Sequence, residues 1–264
     1  MAASDVPPVK GWFQNGFHRF LRPFLRRHFH SIAADRESLD PLDLPPGPPL
    51  IVYANHPSWW DPLVAHFLNR SVFVDRQFYA PIDAQALEQY GVFEQLGFYG
   101  VRLESLRGAR DFLTRSGAIA TAGGTAIWIT PEGRFTDVRD HSVSLMPGLP
   151  HLCRQLDAGW VVPLALEYAF WDDRLPNCFA RFGPPIPLAT LAKSSKPDVQ
   201  RRLSDALREC QRRLADSVIA RSDQPFENLL SGRAGAGTFY DTVRRWNGWI
   251  RGKQVRTSHG DHFR

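Results

Sequence analysis

The chain has 264 residues, 43% of them hydrophobic, so it is long enough to bury a sizeable core and too apolar to be disordered throughout. Its formal net charge of +5 favours anionic partners: phospholipid surfaces, CoA phosphates, acidic carrier proteins or nucleic acid. Cys153, Cys178 and Cys210 form no CxxC pattern, which argues against a disulfide framework or a metal site and fits a reducing compartment.

In chain order, residues 1–9 read as a loose tail. From Lys10 to His30, Trp12, Phe13, Phe17, Phe20, Leu21, Phe24, Leu25 and Phe29 interleave with Lys10, Arg19, Arg22, Arg26 and Arg27, and no acidic residue interrupts them. The i, i+3/i+4 spacing predicts an N-terminal amphipathic helical segment, split into two pieces at Pro23. A basic helix with aromatics on one face suits an anionic headgroup region, or packs on the protein's own core with its basic face solvated. Residues 31–49, ending in Pro45-Pro46-Gly47-Pro48-Pro49, read as a stiff linker with little regular structure. Residues 1–49 would thus be a membrane-associating segment and linker, 50–222 the main domain, and 223–264 a basic helical tail.

The main domain reads as strands alternating with helices. Leu50–Ala54, Ser71–Val74, Phe78–Ala80, 97–102, 125–130, 160–167 and 178–182 are predicted strands. Predicted helices run over 62–69, 84–90, 105–116 (with Leu106, Ala109, Phe112 and Leu113 on one face), from after Pro147-Gly148 to about 157, and 196–221. In the last of these, Val199, Leu203, Leu207, Cys210, Leu214 and Val218 form an apolar stripe that reads as a core-facing edge. The pattern predicts an α/β fold with a mixed, mostly parallel sheet flanked by helices. No run of 18 or more uncharged apolar residues occurs, so no spanning helix is expected. The N-terminus does not read as a cleaved signal peptide.

The residues that carry chemistry follow the first strand of this domain: Asn55-His56-Pro57-Ser58-Trp59-Trp60-Asp61. A neutral imidazole takes a proton from a hydroxyl near neutral pH, and a nearby carboxylate holds its tautomer. Asp61 stands where a helix N-cap is expected, with Pro62 at the first helical position, which turns its side chain back toward His56. Taken alone the pair also reads as a loop histidine and a helix-capping aspartate. Ser58 lies in no Gly-x-Ser-x-Gly elbow and is not read as a nucleophile.

Four blocks occur in order: the strand with Asn55, His56 and Asp61; the strand with Gly97 and Gly100 ending in Arg102; the strand leading to Pro131-Glu132-Gly133-Arg134-Phe135; and the strand with Val162-Pro163. Their order and spacing resemble the PlsC-like glycerolipid (lysophospholipid) acyltransferases over residues 50–187. The resemblance implies a glycerol-3-phosphate acyltransferase-like fold and acyl transfer from acyl-CoA or acyl carrier protein to a lipid hydroxyl. His56 would be the general base and Asp61 its orienting partner. It implies no metal and no cofactor beyond the acyl co-substrate, and it assigns acceptor or phosphate binding to Arg102, Glu132, Gly133 and Arg134.

Two departures stand out. Gly97 is five residues before Arg102 where the family usually has six, and Arg134 and Phe135 occupy the places of a threonine and an arginine. A 1-acyl-glycerol-3-phosphate acceptor thus stays open beside a glycolipid, an amine lipid or a terpenoid glycoside. Glu132 either binds acceptor hydroxyls or fixes the Gly133 turn, and Arg102 either binds phosphate or is a surface charge. Asn55, Trp59 and Trp60 line a substrate channel or pack in the core. Backbone N–H groups near Asn55 or Glu132-Gly133 are the candidate oxyanion donors. Peripheral attachment to the cytoplasmic face of a membrane is expected. A thioester or ester hydrolase using the same pair, and a non-catalytic lipid-binding protein, remain as other classes. No nucleic-acid partner is expected, because the basic residues gather at the termini.

Overall fold

A computed structural model describes residues 6–89, 91–102, 105–232 and 263. The elements, in order, are α1 (Gly11–His28), β1 (Ser31–Asp35), β2 (Leu50–Ala54), α2 (Asp61–Val72), β3 (Gln77–Asp83), α3 (Ala84–Gln89), β4 (Phe98–Val101), α4 (Leu106–Thr121) and β5 (Thr125–Ile129). There follow α5 (Gly148–Gln155), β6 (Trp160–Ala169), β7 (Asn177–Phe182), β8 (Ile186–Pro187), α6 (Leu188–Ala192), α7 (Lys196–Ile219) and β9 (Phe226–Ser231).

The strands form one sheet in the order β4-β3-β5-β2-β6-β7-β1-β9, with β8 added against β6. From β4 to β6 every neighbour is parallel, and β1 runs parallel to β7. Antiparallel pairing joins β6 to β7 and β8, and β1 to β9. The fold is therefore the α/β architecture with a mostly parallel sheet flanked by helices.

Strand alternation explains why the sheet is covered twice. Leu50, Val52 and Ala54 of β2 face one way and pack with Leu21 and Leu25 of α1 and Val64, Phe67 and Leu68 of α2. Ile51 and Tyr53 face the other way, against Phe112 and Ile119 of α4, Leu149 and Leu152 of α5, and Val199, Leu203 and Leu207 of α7. A sheet buried on both faces needs the unbroken apolar runs seen in β2 and β5. Beyond the centre, Cys210, Leu214 and Val218 of α7 cover Ala33, Ala165 and Phe179.

Several expectations are corrected. Residues 31–49 hold a strand, β1, seated between β7 and β9, and α1 buries Leu21 and Leu25 completely in the main core. Segment 6–49 is thus packed into the same sheet and core as the residues after Leu50. Pro23 does not split α1, because it lies on the exposed face, where water can solvate the carbonyl it leaves unbonded. Residues 71–74 are not a strand; α2 continues through Val72, with Ser71 Oγ bonded to the Phe67 carbonyl. Phe226–Ser231, expected within a helical tail, is β9; the basic stretch 233–262 lies outside the described residues. Leu106, expected on the apolar face of its helix, is 93% exposed, and α4 instead buries Phe112, Ile119 and Ala120.

Candidate active site

Parallel neighbours end at the same edge of a sheet, and that edge is where α/β folds gather their polar groups. β2 and β5 are adjacent and parallel, so the loop from Asn55 to Trp60 and the loop from Thr130 onward meet. β6, parallel to β2 on the other side, runs on past Leu164 to Ala169 and supplies the floor beneath the first loop.

His56 and Asp61 are in direct contact, with Nδ1 of the ring 2.6 Å from Asp61 Oδ2. A carboxylate only accepts, so Nδ1 carries the proton and Nε2 is left as the basic nitrogen. Nε2 has no hydrogen-bond partner among the described residues. The His56 side chain is 18% exposed and that of Asp61 3%, so the acid is inside and the base reaches the surface.

Asp61 is the first residue of α2 and not its cap; Trp60 takes the cap position. The side chain still turns back as expected, accepting the Ser58 N–H at Oδ2 (3.1 Å). Its other oxygen accepts the Tyr168 hydroxyl at 2.7 Å. Burial of that phenol, then the neighbouring Cys178 and Asp61, pushes its pKa well up, so it stays a donor.

The backbone of His56 is fixed separately. Its N–H donates to Glu132 Oε2 (3.2 Å), and its carbonyl accepts from the Thr136 N–H (2.9 Å). Glu132 is buried and its Oε1 accepts from Arg208 Nη1 at 2.9 Å. Arg208 also donates to Gln211 Oε1 and to the Val143 carbonyl. Both carboxylate oxygens of Glu132 are therefore engaged in tying the two loops and α7 together. Gly133 turns the chain at φ +68°, and its N–H closes that turn onto the Thr130 carbonyl, so this amide is already in use.

Asn55 is buried and mimics a strand neighbour: its amide exchanges two hydrogen bonds with the backbone of Leu166 (2.9 and 2.8 Å). Trp60 is part-buried against Phe24 and Phe29, whereas Trp59 is 67% exposed. Arg134 is exposed in the loop beside His56. Arg102 is exposed after β4, three strand positions from β2, about 14 Å across the sheet. It is not in contact with the His56–Asp61 pair.

Three contributors were not singled out from sequence for the site. Tyr168 and Arg208 are 107 and 76 residues from the acids they touch, and only the fold joins them. Nothing in the spacing of α7 marks Arg208, which stands beside Leu207 and outside the apolar stripe among four other arginines of the helix. Phe135, at the place of an arginine in the motif, sets its ring 4.4 Å from that of His56. A cavity of about 290 Å³ lined by Gln14, His66, Arg70, Arg76 and Gln77 lies at the opposite edge, where β3 and β5 begin, and has no part in this arrangement.

A mostly parallel, doubly covered sheet with a His–Asp pair in the loop after a central strand defines an α/β protein built around its carboxyl edge. The family model described as Acyltransferase matches residues 19–167, more than half of the chain and a stretch that includes His56, Asp61 and Glu132. The chain belongs to this family, the PlsC-like glycerolipid acyltransferases, and is an acyltransferase that takes an acyl donor and a lipid acceptor. No curated protein matches it in a sequence search.

Proposed function

We propose that this enzyme moves a fatty acyl group from a thioester, acyl-CoA or acyl carrier protein, to a lipid hydroxyl, with His56 as general base. The observation that carries the reading is the 2.6 Å contact of His56 Nδ1 with a buried Asp61, which leaves Nε2 without a partner among the described residues on a part-exposed ring. The acceptor O–H gives its proton to Nε2 as its oxygen attacks the thioester carbonyl. A new C–O bond forms, the C–S bond of the tetrahedral intermediate breaks, and the imidazolium returns the proton to the leaving thiolate. Asp61 holds the ring in the competent tautomer and stabilises the imidazolium, as in the acid–base half of a hydrolase triad. The substrate brings the hydroxyl, so no serine is required, and no metal or further cofactor enters these steps.

Phe135 beside His56 favours an acceptor whose hydroxyl is flanked by apolar or sugar-ring surface. Arg134 and Arg102 stand exposed further out for a phosphate, as in 1-acyl-glycerol-3-phosphate. Attachment to an anionic membrane, at its cytoplasmic face, is supported by the outer face of α1. Trp12 and Phe20 are exposed there among Arg19, Arg22, Arg26 and Arg27. Among the described residues no helix is long and apolar enough to cross a membrane.

The reaction is tested by thiol release from palmitoyl-CoA with a total lipid extract as acceptor, followed by product identification. Acceptor-dependent thiol release with a new acylated lipid supports transfer. Release of free palmitate at the same rate without acceptor identifies a hydrolase instead.

A further inference from the structure

We infer that Tyr168 is a positioning residue of the His56–Asp61 pair, its hydroxyl holding Asp61 in the orientation from which Oδ2 meets His56. The inference rests on the roles of His56 and Asp61 proposed above. Tyr168 lies one residue beyond the stretch that the family model matches.

Three observations converge on it. First, Asp61 is buried, and each carboxylate oxygen has a donor: His56 Nδ1 and the Ser58 N–H on Oδ2, the Tyr168 hydroxyl on Oδ1. A buried carboxylate needs such donors to stay ionised, and Tyr168 supplies the one side-chain donor on Oδ1 among the described residues. Second, Tyr168 and Leu166 are alternate residues of β6. Leu166 grips Asn55 through its backbone while Tyr168 grips Asp61, so both ends of the catalytic loop are fastened to one strand two residues apart. Third, the ring is set by packing, 5.9 Å from that of Phe29, which leaves the hydroxyl as its polar end.

The groups around the pair leave this role to Tyr168. From β7, Cys178 sits beside both Tyr168 and Asp61, and burial pushes its thiol up, so it carries no charge near neutral pH. From the loop after β5, Glu132 spends its oxygens on the His56 backbone and on Arg208 of α7. With the phenol O–H removed, the Asp61 charge is less dispersed and attracts the ring proton of His56 more strongly. The carboxylate is then held through Oδ2 alone, by His56 and the Ser58 N–H, with nothing fixing Oδ1.

The test compares wild type with Tyr168→Phe, which keeps the ring and its packing. Histidine-labelled 264-residue protein is titrated by NMR, and the His56 signals are identified by their loss in His56→Gln. The pH at which the His56 ring gives up its proton should rise by about half a unit or more. In the palmitoyl-CoA assay kcat should fall roughly tenfold with KM little changed. Fluorotyrosine at position 168 keeps the donor but makes it stronger, so it should move the His56 titration the other way. Coincident titrations in wild type and Tyr168→Phe overturn the inference, even where activity falls, because that loss then comes from packing alone. If wild type transfers no acyl group, the proposed reaction fails, while the titration still decides whether Tyr168 acts on the pair.

Discussion

Replacing His66 with leucine should flatten the pH dependence of stability on the acid side of neutrality. His66 lies in α2, the helix that presents Asp61, and is 1% exposed. Its ring packs edge-on to Phe17 of α1 at 5.0 Å and against Phe78 of β3 at 5.2 Å. Neither ring nitrogen has a hydrogen-bond partner among the described residues. Burial first, then the charges of His18 and Arg70, lowers its pKa from 6.5 to about 3. The unfolded chain therefore takes up a proton that the folded chain refuses. The associated stability is fully present above the unfolded value of 6.5 and is lost as pH falls toward about 3. At about 1.4 kcal/mol per pH unit below the unfolded value, moving from about pH 7.5 to about pH 5.5 costs about 1.4 kcal/mol through this residue. Carboxylates barely titrate in that window, and His18, lowered chiefly by burial, acts in the same direction in both proteins. Urea unfolding followed by tryptophan fluorescence at the two pH values gives the slope. Wild type should lose about 1.4 kcal/mol more than His66→Leu across this interval. An equal loss in both proteins would refute the reasoning and place a proton-accepting partner beside His66.

Other expectations follow from the loops that hold the pair. Arg208→Met leaves the buried Glu132 carboxylate without its cation and should lower unfolding free energy by about 3 kcal/mol, read from urea midpoints. Asp61→Asn should reduce kcat by about 10² or more with a near-normal CD spectrum, since it removes the acceptor that fixes the His56 tautomer. Gly133→Ala puts a side chain at φ +68° and its Cβ 2.4 Å from Met146 Sδ, and should cost about 1–2 kcal/mol. Pairing it with Met146→Ala should restore only the part due to the contact. Trp12→Ser with Phe20→Ser should weaken binding to anionic vesicles in co-sedimentation while leaving the melting temperature nearly unchanged. Deleting residues 1–30 is not an equivalent test, because it removes Leu21, Leu25 and Phe29 from the core.

Legibility in the sequence followed how local each cause is. The central strands carry continuous β-branched and aromatic runs, so β2, β5 and β6 could be read directly, and the apolar stripe of α7 identified its buried edge. β1 and β9 are illegible for the opposite reason: Ser31–Asp35 holds a single β-branched residue, Ile32, and Phe226–Ser231 carries Glu227 and Asn228. β9 becomes a strand beside β1, and β1 between β7 and β9, so each depends on partners distant in the chain. Residues 71–74 have strand-like composition, but the helix beginning at Asp61 runs on through Ser71 and Val72, and the chain turns after it. Within the candidate site, the spacing of His56 and Asp61 on one short loop made their contact readable. The engagement of Glu132 by Arg208, and of Asp61 by Tyr168, depends on closing long stretches of chain, which leaves no mark at short range.

The most direct measurement is lipid mass spectrometry of cells expressing wild type beside cells expressing His56→Ala at equal protein level. A lipid that gains one acyl mass with wild type and does not appear with His56→Ala is the expected result. The same acylated lipid, at the same abundance with both proteins, would contradict His56 as the base that drives the transfer.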